Sequence, residues 1–299
     1  MKITIVSGSR ADAGLLTWPI KTLQEDPRFK GQIVKIWGCD FGLAFYTCTQ
    51  SFTTERPDLV LILGDRYEIL AAATAAHLLR VPIAHIGGGD VTEGSYDDAM
   101  RDCISRMAAV HFVTSTSAMA RLSHMGLRNV HLVGNPGIDY IRNAAWKMER
   151  PIAEPYVVVS YQAETIDGTN DFEKLCFSLP DVTQVIIRPN PDTGSAELIT
   201  MIDKWPVERQ YARAKDAIYS GDYSPAATIL HDFLPYPEFL NLIFHCEEFI
   251  GNSSSMLYEA PELEIKTRMI GKRQRGRTIP WGDANASARI VNILTHCAL

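Results

Sequence analysis

Pro57-Asp58-Leu59-Val60-Leu61-Ile62-Leu63-Gly64-Asp65-Arg66-Tyr67-Glu68 is an uninterrupted apolar run closed by a glycine and followed at once by charge. It reads as a strand over Leu59–Leu63, apolar on both faces, feeding a helix over Arg66–Leu79. A strand that buries both faces belongs to a parallel sheet covered by helices on either side. Outward from this unit the same rhythm repeats. Lys2–Val6, Ile33–Trp37, Ile83–Ile86, His111–Thr114 and His131–Val133 read as strands, with helical spacing over Ala11–Gln24, Tyr96–Met107 and Thr116–Met125. Ligands of such sheets bind outside the C-terminal ends of the strands. That places Ser7-Gly8-Ser9-Arg10, Gly64-Asp65-Arg66 and Gly87-Gly88-Gly89-Asp90 on the ligand side.

Around Met148–Pro155 the rhythm breaks into a polar, proline-bearing stretch that reads as a linker. A second alternation follows, with strands at Tyr156–Ser160, Val185–Arg188, Glu248–Ile250 and Thr267–Ile270. Its helices fall near Phe172–Leu179, near Glu197–Trp205, over Pro237–His245 and after Ser255, with a last one over Ala284–Leu299. The fold class is therefore α/β, with two Rossmann-like domains at 1–148 and 149–299 and the last helix packing back on the first domain. Neither an internal repeat nor a GxGxxG fingerprint is visible.

The chain has 299 residues, 46% hydrophobic and 21% charged, and a formal net charge of −6. This is a soluble globular profile, and its acidity disfavours nucleic acid as a partner. No apolar run approaches the roughly 18 residues of a membrane span. The first strand begins at Lys2, so no signal peptide is expected. Six scattered cysteines without a CxxC pair or clustered histidines point to a reducing cytoplasm and to no metal centre.

Four clusters could carry chemistry. Gly251-Asn252-Ser253-Ser254-Ser255 ends a strand and starts a helix, a ready site for a phosphate or diphosphate, with Glu259 one turn on. The same serines serve equally as an ordinary helix cap. Asp65 and Glu68 follow a strand end, placed for acid–base work or for capping the next helix. His85–Asp98 holds three successive glycines and then acids, with Arg101 one turn beyond Asp97. Asp97 and Arg101 read either as a surface ion pair or as an anion clamp with its orienting acid. Arg10, Arg66 and the basic run Lys272–Arg277, with Arg275 and Arg277, are candidate phosphate cations or solvated surface charge. Arg188-Pro189-Asn190-Pro191-Asp192 reads as a rigid turn.

Together these segments resemble the hydrolysing UDP-N-acetylglucosamine 2-epimerases, in particular the branch feeding sialic-acid-type sugar synthesis. The resemblance rests on Gly8–Leu16, Pro57–Glu68, His85–Arg101, Gly251–Pro261 and Ile270–Arg277, in the family's order. It implies a two-domain GT-B fold binding a UDP-sugar, without a metal or other cofactor, and often a homodimer. By the same resemblance Arg10, Gly251, Asn252 and Ser253–Ser255 hold UDP, Glu259 the ribose, and Asp65, Asp90, Asp97 and Arg101 the reacting side. The family's reaction eliminates UDP across C1–C2 and then adds water to the glycal from the other face.

The chain departs from this pattern. Tyr161-Gln162-Ala163-Glu164-Thr165 carries Gln162 in place of the family's active-site histidine, and an amide cannot shuttle a proton. Gly87 stands where many relatives carry a catalytic glutamate, and Asp102 where the family has a histidine. Several dozen residues are missing between Gly42 and Glu55, which makes the first domain compact. Three readings follow: a hydrolysing 2-epimerase, a GT-B glycosyltransferase passing the sugar to an acceptor hydroxyl, or a non-catalytic UDP-sugar binder.

Overall fold

The structure is a computed structural model that describes residues 1–166, 171–190, 194–220 and 226–296, without side chains at residues 10, 11 and 215–220. It divides into two units. The first comprises Met1–Ala144 together with Gly276–Leu299, and the second comprises Ala145–Arg275. The expected boundary at 148 thus falls a few residues earlier, and the basic run is cut in two. Arg275 belongs to the second unit and Arg277 to the first.

In the first unit, strands β1 (Lys2–Ser7), β2 (Lys30–Lys35), β3 (Leu59–Leu63), β4 (Ile83–Ile86), β5 (Val110–Val113) and β6 (Val130–Leu132) form one parallel sheet of order β2-β1-β3-β4-β5-β6. The helices are α1 (Arg10–Glu25), α2 (Phe41–Glu55), α3 (Tyr67–Leu78), α4 (Asp97–Met107), α5 (Thr116–His124) and α6 (Pro136–Asn143). The apolar run of β3 sorts itself by the two-residue period of a strand. Leu59, Leu61 and Leu63 join one core with Leu16, Leu23, Ile290 and Leu294, whereas Val60 and Ile62 join the opposite core with Ala44, Phe52, Ile69 and Ala72. Each fully buried Leu, Ile, Val or Phe among them stabilises the fold by about 1.5–3 kcal/mol before entropy is counted.

The shortened crossover between β2 and β3 is a complete α2. Asp40 caps its first turn through Leu43 N–H at 2.8 Å, and Arg56 ends it in the left-handed region at φ 46°. β2 lies at the sheet edge and runs over Lys30–Lys35 rather than Ile33–Trp37. An edge strand half open to solvent lacks the apolar run that marked β3.

In the second unit, β7 (Tyr156–Ser160), β8 (Thr183–Ile187), β9 (Thr228–His231), β10 (Glu248–Gly251) and β11 (Thr267–Met269) make a parallel sheet of order β11-β10-β7-β8-β9. Helices α7 (Phe172–Phe177), α8 (Ser195–Ser220), α9 (Tyr236–Phe244) and α10 (Glu259–Glu262) accompany it. No continuous helix follows Ser255. A 3-10 turn over Ser254–Met256 is followed by the single turn of α10. Pro261 contributes to the break, because it has no N–H to donate to the Leu257 carbonyl.

The last helix, α11 (Ala286–His296), packs against α1 and α6 in the first unit. Its first turn is capped from a distance by Asp139 on α6. The fully buried carboxylate accepts from Ala286 N at 3.0 Å and Ser287 N at 2.6 Å. Asp139→Ala strands two N–H donors inside the protein and removes a negative charge from a helix N-terminus. We expect it to lower unfolding free energy by about 2–4 kcal/mol in urea titration. A loss below about 0.5 kcal/mol would show that α11 does not depend on this cap.

Candidate functional site

Each sheet reverses its strand order at one place, and each reversal opens a crevice beyond the strand ends. In the first unit the reversal lies between β1 and β3, which puts Ser7-Gly8-Ser9 beside Gly64-Asp65-Arg66. In the second it lies between β7 and β10, which puts Gln162 beside Gly251-Asn252-Ser253.

Asp65 does not cap α3. The N-cap of that helix is Arg66, which makes no side-chain cap bond. Asp65 is instead ion-paired with Arg101 on α4. Arg101 is 2% exposed and also binds Asp98, the Thr92 hydroxyl at 3.0 Å and the Asp90 carbonyl at 2.7 Å. This corrects the expectation of a surface pair between Asp97 and Arg101. The i,i+3 partner is Asp98, while Asp97 accepts from the Ser95 hydroxyl. A guanidinium buried among two carboxylates is a brace for Asp65 rather than an open anion clamp. Asp98 also accepts from Thr92 N at 2.9 Å, which ties the glycine loop to α4, and burial raises its pKa.

Asp90 stands at the end of that loop. One carboxylate oxygen accepts from the Thr114 hydroxyl at 2.8 Å. Burial pushes the acid up to about 6, against the opposing pull of Thr114, Arg277 and Arg121. Gly87 has φ 83°, and a Cβ built there would meet Asp90 Oδ2 first, at 3.8 Å. The Asp90 carboxyl therefore reaches towards the volume a side chain at position 87 would fill. Asp102, at the other departure, pairs with Arg121 on α5 at 3.1 Å.

The segment from Gly276 onward closes over these strand ends within the first unit. Thr278 exchanges hydrogen bonds with Val91, donating from N–H at 3.0 Å and accepting at its hydroxyl at 2.7 Å. Trp281 N–H donates to the Thr114 carbonyl at 2.8 Å. This strap carries Arg277 to where its charge acts on Asp90. Arg66 is held by Glu68 in a two-pronged pair at 3.0 and 3.1 Å. Asp12, which the sequence did not single out as a site residue, is buried beside Gly8 and pushed up to about 6 by burial. Its own N–H donates to Ser9 Oγ at 3.2 Å, half of a capping box. The side chain of Arg10 lies outside the described residues, as do Pro191 and Asp192.

In the second unit, Asn252 is fully buried and spends its amide on the neighbouring strand end. It accepts from Gln162 N at 2.6 Å and donates to the Gln162 carbonyl at 2.9 Å. The Asn252 amide thus braces the two strand ends. Gln162 accepts at Oε1 from Asn190 N at 2.9 Å. Gln274 donates to the Asn252 carbonyl at 2.6 Å. Ser253 Oγ accepts from Ser255 N at 3.3 Å, and Ser254 opens the 3-10 turn. Glu259 is buried and accepts from Tyr236 OH at 3.1 Å. Arg275 N–H donates to the Lys272 carbonyl at 2.9 Å in a turn. Among the described residues no group of three or more His, Cys, Asp or Glu is placed to hold a metal ion. Nor is any helix long and apolar enough to cross a membrane.

Residues 39–281 match the profile of the family described as UDP-N-acetylglucosamine 2-epimerase. The chain belongs to that family. Among its curated relatives, a GDP/UDP-N,N'-diacetylbacillosamine 2-epimerase (hydrolyzing) of Campylobacter jejuni is 27% identical over 79% of this chain and 62% of the relative. A UDP-N,N'-diacetylbacillosamine 2-epimerase (hydrolyzing) of Legionella pneumophila is 29% identical over 77% of this chain and 60% of the relative. The chain thus spans about three-fifths of the length of these curated relatives. A UDP-GlcNAc 2-epimerase of Methanocaldococcus jannaschii, solved with UDP-GlcNAc and UDP, superposes with a TM-score of 0.76. It is 17% identical and covers 99% of this chain and 100% of that one. The Neisseria meningitidis enzyme bound to UDP-GlcNAc gives 0.73 at 16% identity, with 99% and 100% covered. These likenesses show the fold, two parallel-sheet α/β units of the GT-B type that members of the family share.

Proposed function

We propose that the chain is a hydrolysing 2-epimerase of a UDP-2-acetamido sugar, with Asp90 as the group that moves the C2 proton. The observation that carries the reading is the Asp90 carboxyl, held by Thr114 beside the empty side-chain position of Gly87 and poised near 6. A base of that strength is about nine-tenths ionised at pH 7 and still returns its proton readily. Asp90 takes the C2 proton, the C1–O bond breaks, and its electron pair leaves with UDP. Water then adds its hydroxyl to C1 of the glycal and gives its proton to the Asp65 carboxylate, which delivers it to C2 on the face opposite to Asp90, while Asp90 releases the first proton to solvent. The balance is UDP-sugar plus water giving UDP and the 2-epimeric free sugar.

The departing diphosphate needs positive charge and N–H donors. In this reading Arg10, Arg66, Arg275 and Arg277 supply the charge, while Ser253, Ser254 and Ser255 supply hydroxyls and backbone N–H groups. Glu259 receives the ribose diol. Gln162 hydrogen-bonds the sugar or phosphate without transferring a proton. Asp97 and Arg101 support the loop and Asp65. No metal or cofactor takes part in the proposed steps.

The test is incubation with UDP-GlcNAc and, separately, with UDP-N,N'-diacetylbacillosamine, following UDP and free sugar by chromatography. Release of UDP and the 2-epimer from either substrate alone is expected. Release that waits for an added acceptor hydroxyl would replace this reading by glycosyl transfer, and binding without turnover would replace it by a UDP-sugar binder.

A further inference from the structure

His85 lies in β4 and is fully buried, under the turn that carries Asp65. Its Nε2 is 2.8 Å from the Gly64 carbonyl, and its Nδ1 is 3.1 Å from Ser105 Oγ. A carbonyl only accepts, so Nε2 bears the hydrogen and Nδ1 accepts from the serine hydroxyl. Ser105 is on α4, one turn beyond Arg101, and is itself fully buried. The imidazole therefore links two elements. One is the Gly64 turn, at φ 88°, which aims Asp65; the other is the helix whose Arg101 pairs with Asp65. Gly88 leaves room for the link, since a Cβ there would fall 2.8 Å from Ser105 Oγ and 3.0 Å from His85 Nδ1. Burial holds the ring's pKa at about 4, so the ring stays neutral and its tautomer does not change near neutral pH.

We propose that His85 is a positioning residue, a neutral imidazole strut that sets the distance between the Asp65 turn and the Arg101 helix. It touches no substrate in this account and moves no proton. The proposal rests on the reading of Asp65 as a proton donor to the sugar. A leucine at 85 fills the space without donating, so the Gly64 carbonyl loses its partner and the turn is free to shift. A glutamine can return an N–H to the Nε2 position.

The experiment compares His85→Leu, His85→Gln and Ser105→Ala by steady-state turnover of the UDP-sugar and by crystal structures. His85→Leu is expected to lower kcat about a hundredfold with KM changed less than threefold, the signature of misplaced chemistry rather than lost binding. His85→Gln should recover at least tenfold of that loss, and Ser105→Ala should show a smaller loss of the same kind. In the crystal structures the Asp65 carboxyl should move away from Arg101 in His85→Leu and return in His85→Gln. Should His85→Leu fail to fold, the Gln and Ala variants decide the question alone. A kcat within threefold of wild type, or an unmoved Asp65, overturns the proposal. If the wild-type protein turns over no UDP-sugar, the functional reading fails separately, and the position of Asp65 alone decides the role of His85.

Discussion

Asp90→Asn is expected to lower kcat by about 10³-fold while leaving UDP affinity within threefold, because it removes the proton acceptor and keeps the shape. The amide oxygen still accepts from the Thr114 hydroxyl, so the loop has no reason to move. The pH profile supplies a second check. The carboxyl is pushed up to about 6, and only its ionised form takes a proton. Wild-type kcat/KM should therefore fall about tenfold per pH unit below 6, and this limb should vanish from the residual activity of the variant. Stability runs the opposite way. Between an unfolded pKa of about 3.9 and the folded value, the native state binds more protons, so Asp90 contributes a penalty that grows as pH rises through this window. At pH 7 the asparagine variant should melt at the wild-type temperature or above it. Turnover within tenfold of wild type would remove Asp90 from the chemistry and return the question to Asp65 and Asp97.

Gly251→Ala is expected to cost about 4 kcal/mol or more, a fall in Tm of roughly 8–16 °C for a unit of this size. Gly251 has φ 138°, a conformation essentially confined to glycine, and its missing Cβ points into the Ser160 carbonyl of the adjacent strand. Both clashing groups are sheet backbone, paired through Gly251↔Ser160, so neither can give way cheaply. Gly126→Ala separates the two causes. Gly126 also has positive φ, at 79°, but nothing lies within 4 Å of the added carbon. That variant should lose only about 1 kcal/mol. Equal losses at the two positions in denaturant titration would mean that backbone conformation alone, and not the close approach of β10 to β7, demands glycine at 251. Because Gly251 leads directly into Asn252, the damaged protein should also bind UDP weakly even where it remains folded.

The central strands were legible because burial on both faces writes an unbroken apolar run. Leu59–Leu63 and Ile83–Ile86 have the same limits in sequence and structure. The edges were not. β9 is Thr228-Ile229-Leu230-His231, only partly buried along its whole length, and its pattern does not stand out from a polar surround. α6 also escaped notice, although its start, Asn135 accepting from Gly137 N with Pro136 in the first turn, is an N-terminal signal. The break in the helix after Ser255 has a local cause that the chain does display, the proline at 261.

At the site, residue types and their order along the chain pointed to a family, which stands without any coordinate, and to strand ends suited to a phosphate. Partners were beyond reach, because a partner is a matter of where side chains meet. Helical spacing permits Arg101 to reach either Asp97 or Asp98, and the choice falls to Asp65, thirty-six positions away, whose carboxylate draws the guanidinium inward. Gly87 looked like a loss of acid–base capacity; only the fold reveals that Asp90 leans towards the same space. Likewise only the pairing of β7 with β10 shows that the Asn252 amide braces the two strand ends. Composition and periodicity determine which elements form, since burial and backbone geometry act locally along the chain. Which acid is paired, which is raised and which is braced depends on desolvation and on neighbours that only tertiary packing supplies.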